Sequence, residues 1–147
     1  MCTRITKRLW RKPHIYKVVK TVPSKSNIFD EEVRSVFREE FKWVEGKNIA
    51  QAWISHTPTY TLEKTISVGM SVTDGAFHGF TNMKDAKRFA TQLKILMNNI
   101  DIEIIKIKPT TTVWKGVMES DFQDWDGCPQ YVCKEVKWDE WDGKLSL

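Results

Sequence analysis

Apolar and polar residues alternate most regularly over positions 65–72, where Thr-Ile-Ser-Val-Gly-Met-Ser-Val runs through four cycles. This is the pattern of a strand with one buried and one wet face. Another strand is expected over Ile15–Val22, which is rich in β-branched residues and stopped by Pro23. Between these two, Phe29, Val33, Val36, Phe37 and Phe41 recur at helical spacing, and Asp30, Glu31 and Glu32 fall where the first turn of a helix favours acids. The spacing therefore predicts a helix from Phe29 to near Lys42. Glu45-Gly46-Lys47 reads as a turn, Ile49–Ile54 as a short strand or a turn of helix, and residues 55–64, which include Pro58, as a loop.

Asp74-Gly75 suits a tight reversal, because glycine accepts positive φ. From Thr81 to Met97 the residues Met83, Ala86, Phe89, Ala90, Leu93, Leu96 and Met97 share one helical face, with Asn82 as N-cap and Asp85 three residues on. Ile100–Lys108 alternates again, with a phase shift at Ile104-Ile105 that a bulge or a change of buried face would explain. Thr110–Met118 and Gln130–Trp138 complete the strand candidates, joined by the turn-rich stretch Asp121–Pro129. The expected fold class is α+β: a single domain with a mixed or antiparallel sheet of about five strands and about two helices packed on it. Residues 1–14 read as an irregular basic arm, 15–138 as the domain and 139–147 as a flexible C-terminal tail.

Composition narrows this picture. A chain of 147 residues with 41% hydrophobic and 29% charged side chains fits one globular domain able to bury a core without staples. The apolar runs are short, so no membrane partner is expected, and residues 1–12 lack the apolar stretch of a secretory signal. Three cysteines, Cys2, Cys128 and Cys133, make no disulfide framework and favour a reducing, cytoplasmic location.

Charge is unevenly placed. The formal net charge is +4, yet residues 1–25 carry eight basic side chains and no acid, whereas residues 117–147 carry eight acids against three lysines. The basic end, with Arg4, Lys7, Arg8, Arg11 and Lys12, is a candidate nucleic-acid footprint. The plainer alternatives are that it is solvated or that the two ends neutralise each other. The acidic end is interspersed with aromatics, and Asp121, Phe122, Asp124, Trp125, Asp126, Trp138 and Trp141 form a candidate protein-binding surface, since Trp and Tyr often supply anchoring contacts. The competing reading places most of the seven tryptophans in the core.

Catalytic signatures are sparse. No phosphate-binding loop, dinucleotide fingerprint, nucleophile elbow or His-Glu-x-x-His stretch occurs. The histidines are scattered and Cys128 and Cys133 are wrongly spaced for a zinc knuckle, so neither a metal nor a cofactor is expected. Both later cysteines lie among acids, which raise a thiol pKa and disfavour a nucleophile. The stretch Gly75-Ala76-Phe77-His78-Gly79-Phe80-Thr81-Asn82 stands out because a lone histidine sits between two phenylalanines just before a helix. His78 is there as a ligand-contacting group or, on the plainer reading, as a turn-fixing one.

Tyr16-Lys17-Val18-Val19, Lys42-Trp43-Val44-Glu45-Gly46-Lys47, the Gly75–Phe80 motif with Lys84-Asp85-Ala86-Lys87-Arg88-Phe89-Ala90, and Ile104-Ile105-Lys106-Ile107 follow one another in an order that resembles a loose group of small uncharacterised phage and prophage proteins. The group's pattern is Gly-Phe-His-x-Phe, whereas here Ala76 separates Gly75 from Phe77. The resemblance implies a phage accessory context and carries no catalytic residue. The expected function is accordingly a non-enzymatic accessory protein in the host cytoplasm that binds a host protein or defence complex through the acidic aromatic end. Direct nucleic-acid binding and a nucleotide-using enzyme centred on His78 are the alternatives.

Overall fold

The computed structural model describes residues 2–24, 30–36, 41–54, 57–60, 66–73, 75–98, 101–121, 125–139 and 144–145. Its elements in chain order are β1 (Cys2–Arg8), β2 (Ile15–Pro23), β3 (Glu31–Ser35), β4 (Gly46–Ile49), β5 (Gln51–Ile54), β6 (Thr57–Tyr60), β7 (Ser71–Val72), β8 (Phe77–Phe80), α1 (Met83–Leu96), β9 (Asp101–Pro109), β10 (Trp114–Glu119), β11 (Pro129–Cys133), β12 (Glu135–Trp138) and β13 (Lys144–Leu145).

Eleven of the strands join one sheet that curls into a half-barrel, in the order β4-β12-β9-β2-β8-β11-β10-β1-β7, with β13 also on β9 and β3 also on β2. Every pairing is antiparallel, and β5 and β6 form a separate hairpin. The longest registry runs between β2 and β9, from Ile15 opposite Ile107 to Thr21 opposite Asp101. The other edge of β2 is divided: Val19–Pro23 pair with β3, while only Tyr16 pairs with β8, opposite Phe80.

Both faces of the central strands are covered. Ile15, Val19, Ile105, Ile107, Cys133 and Val136 pack in one core cluster with Trp43, Phe77, Tyr131 and Trp138. Val18, Ile102, Ile104 and Phe80 pack on the opposite face against Ala86, Phe89, Ala90 and Leu93 of α1. Two-sided burial accounts for the phase shift at Ile104-Ile105: consecutive isoleucines enter different clusters while the register with β2 runs unbroken, so no bulge is needed.

The α+β expectation is thereby corrected to a mostly antiparallel β architecture with one helix among the described residues. The helix predicted from Phe29 to Lys42 is replaced over Glu31–Ser35 by β3. Val33 is buried there opposite Thr21, and Glu32 bonds Arg34 along the same face, an i,i+2 relation that only an extended chain permits. The strand expected over residues 65–72 shrinks to Ser71–Val72, because Gly69 adopts φ +87 and its amide bonds Ile5 carbonyl in a turn. Thr57–Tyr60, read as loop, is a strand, and Gln130–Trp138 splits into two strands at Lys134. The supposed basic arm contributes β1, held between β10 and β7. The helix expected over Thr81–Met97 forms over Met83–Leu96, with Asn82 side-chain oxygen accepting from Asp85 N–H at 2.9 Å, although Leu96 of its expected apolar face is exposed.

Candidate functional site: a cavity at the fork of the sheet

Where β2 passes from β8 to β3, its edge at Lys17 and Val18 carries neither strand, and a cavity of about 500 Å³ lies against it. The approach of β8 depends on Gly79, since a Cβ there would collide with Ile15 Cγ2 and come 2.9 Å from the Tyr16 carbonyl oxygen. Aromatic walls come from Phe41, Phe77, Phe80 and Phe89, and polar groups from Lys17, Ser35, His78 and Gln130. No carboxylate lines it among the described residues. The size and the mix of aromatic walls with few polar groups suit a small organic ligand.

Lys17 has the strand parity of Ile15 and Val19, two core residues, so its stem is aimed inward. Burial pushes its ammonium down to about 8. A neighbouring thiol, Cys133, is itself pushed up to about 12 by burial and stays protonated, so it supplies no counter-charge at neutral pH. Lys17 is thus still mostly cationic near pH 7, half-buried against the cavity and without an ion pair among the described residues.

His78 belongs to a buried polar relay. Thr3 Oγ1 donates to Gln130 Oε1 and lies 2.8 Å from His78 Nδ1. The hydroxyl has one proton, so with the amide in this orientation Nδ1–H donates to Thr3 and Nε2 keeps a lone pair, buried without a partner. Burial, helped by the Lys17 charge, lowers the His78 pKa to about 3. The imidazole is therefore neutral in ordinary buffers and is bonded to a hydroxyl that gives its proton elsewhere. That chemistry fixes a ligand or a wall; it does not activate a nucleophile or shuttle protons near neutrality.

The other expected site residues are dispersed. Trp125 and Trp138 are core side chains: Trp125 packs on Phe89 at 4.6 Å between ring centroids and Trp138 lies edge-on to Trp43 at 6.5 Å. Asp121 and Asp126 are exposed, and Phe122, Asp124 and Trp141 lie outside the described residues. Arg4, Lys7, Arg8, Arg11 and Lys12 are all exposed on and just beyond β1. Among the described residues no group of three or more His, Cys, Asp or Glu comes together as metal ligands, and no helix is long and apolar enough to cross a membrane.

Sequence reasoning missed Thr3, Lys17 and Gln130. For Lys17 a signal existed, a cation at an inward position of an apolar strand; for Thr3 and Gln130 none did, because they meet across 127 residues. No known family model, curated protein or solved structure matches the chain significantly.

Proposed function

We propose that the protein binds a small organic anion in the cavity at the fork of the sheet. The observation that carries this reading is Lys17, a cation facing a cavity of about 500 Å³ lined by no carboxylate among the described residues. An anionic head group there replaces the water the ammonium has lost, and a flat apolar body packs on Phe41, Phe77, Phe80 and Phe89. Ser35 and Gln130 offer hydrogen bonds for orientation. An aromatic carboxylate and a nucleoside monophosphate both have this chemistry.

The test is calorimetric titration and thermal-shift measurement with both ligand types, on the wild type and on Lys17→Met. Saturable binding that Lys17→Met weakens at least tenfold supports the reading. Equal binding by the variant, or no heat and no shift with either ligand type, overturns it.

A further inference from the structure

Among the described residues no carboxylate of the acidic end forms an ion pair with the basic residues on and just beyond β1. β1 and β10 run side by side, and past the register shift after Ile5 they place Lys7 directly opposite Lys115. Like charges directly opposed across two strands repel. Neither lysine, nor Arg4, Arg8 or Arg11, forms an ion pair with a carboxylate among the described residues. Among the described residues Arg11 bonds the Tyr131 phenol, at 3.5 Å, and Lys12 the Thr110 carbonyl, at 3.3 Å. The fold thus gathers a cluster of cations at one end of the β1–β10 pair, with no carboxylate paired to them among the described residues.

An aromatic surface adjoins the same end. Trp10 is 95% exposed, and the Arg8 guanidinium lies 5.5 Å from the centre of its ring. Across the pair Arg8 faces Trp114, itself half-buried. An indole held in water beside a guanidinium presents a stacking surface, while the lysines a residue away supply charge for phosphates.

We infer that the end of the β1–β10 pair binds single-stranded nucleic acid, with an unstacked base on Trp10 and phosphates on Lys7, Lys115 and Arg11. Charge complementarity selects a polyanion, and the exposed indole selects one with free bases. A duplex keeps its bases stacked on one another and gains only the charge contacts. This surface is separate from the cavity: none of Lys7, Arg8, Trp10 or Lys115 lines it.

The test is fluorescence anisotropy of the full chain with labelled single-stranded and duplex oligonucleotides of equal length across a salt series. Expected are tighter binding of the single strand, a linear fall of log K with log salt of about −0.7 per phosphate contacted, and a loss of about tenfold or more in Trp10→Ala. Lys7→Ala/Lys115→Ala should reduce the salt slope, whereas Lys84→Ala, on the exposed side of α1, should leave binding unchanged. Trp10 is almost fully exposed, so its replacement does not threaten folding. Absence of binding at low salt, equal affinity for duplex, or wild-type affinity in Trp10→Ala would overturn the inference.

Discussion

Thr3 Oγ1 and His78 Nδ1 lie 2.8 Å apart although 75 residues separate them in the chain. The contact ties the first strand to the strand preceding the helix, and it does so between β1 and β8, which are not neighbours in the sheet. Thr3 sits under Gly116, whose missing side chain makes room: a Cβ there would meet Thr3 Cγ2 at 2.7 Å. Thr3→Val keeps the shape and removes the hydroxyl that serves both His78 and Gln130. The expected cost is about 1–3 kcal/mol, read by urea denaturation, because two buried groups lose their partner. A variant as stable as wild type would show that the relay contributes no stability.

His78 makes the fold acid-sensitive. Its folded pKa of about 3 lies below its ordinary 6.5, so the unfolded chain binds the proton more readily. The stability contributed by the neutral ring is intact above the unfolded value and is lost as pH falls toward the folded one. Denaturation midpoints should therefore drop over that window in the wild type and drop less in His78→Gln. Parallel profiles for the two proteins would mean that His78 is not the responsible group.

Lys17 shifts stability at the other end of the scale. Its folded value of about 8 is below its ordinary 10.5, so the charged form opposes folding at neutral pH and the opposition fades as pH rises through that interval. Lys17→Met should raise stability near pH 7 by about 1–3 kcal/mol, since an isosteric apolar chain removes a desolvated charge. The gain should shrink in alkaline buffer. Ligand affinity should run the same way, weakening above pH 8 in titrations as the ammonium deprotonates.

Gly79 is required by contact rather than by backbone angle. Its Cβ position is occupied by Ile15 Cγ2, and the Tyr16 carbonyl is fixed in the sheet. Gly79→Ala should destabilise by about 1–3 kcal/mol through overpacking. Pairing it with Ile15→Ala, which removes Cγ2, should leave the double variant less destabilised than the sum of the two single losses, and thermal unfolding of the single and double variants measures the coupling. Full additivity would argue that the collision with Ile15 is not the cause.

Local signals were sufficient where local energetics decide. The cap at Asn82 with Asp85 and the apolar face of Ala86, Phe89, Ala90 and Leu93 form α1 as the spacing predicts. Where tertiary pairing decides, they misled. Asp30, Glu31 and Glu32 look like helix-favouring acids, yet β2 offers β3 an open edge, and pairing with it outweighs a weak helical preference. The alternation in 65–72 reads as strand, yet the turn at Gly69 leaves only Ser71 and Val72 to pair with β1. The cavity was illegible for a related reason: it is lined by residues from β2, β8, β10 and β11 together, and only His78 among its polar groups stood out in the sequence.

The Glu32–Arg34 pair gives a direct test of the strand that replaces the expected helix. The two side chains meet at 2.7 Å along one face, with Ser24 donating to the same carboxylate at 3.0 Å and Lys42 at 3.5 Å. The Arg34 hydrogen bond, with further help from Ser24 and both cations, holds the Glu32 pKa below its usual value. A carboxylate lowered in this way stabilises the fold above its unfolded pKa and ceases to do so as pH falls through the folded one. Arg34→Met should therefore lower stability at neutral pH, and the deficit relative to wild type should close in strongly acid buffer, where Glu32 is protonated in both proteins. In a helix these side chains would point about 200° apart and could not pair, so an Arg34→Met deficit that does not depend on pH would count against the extended β3.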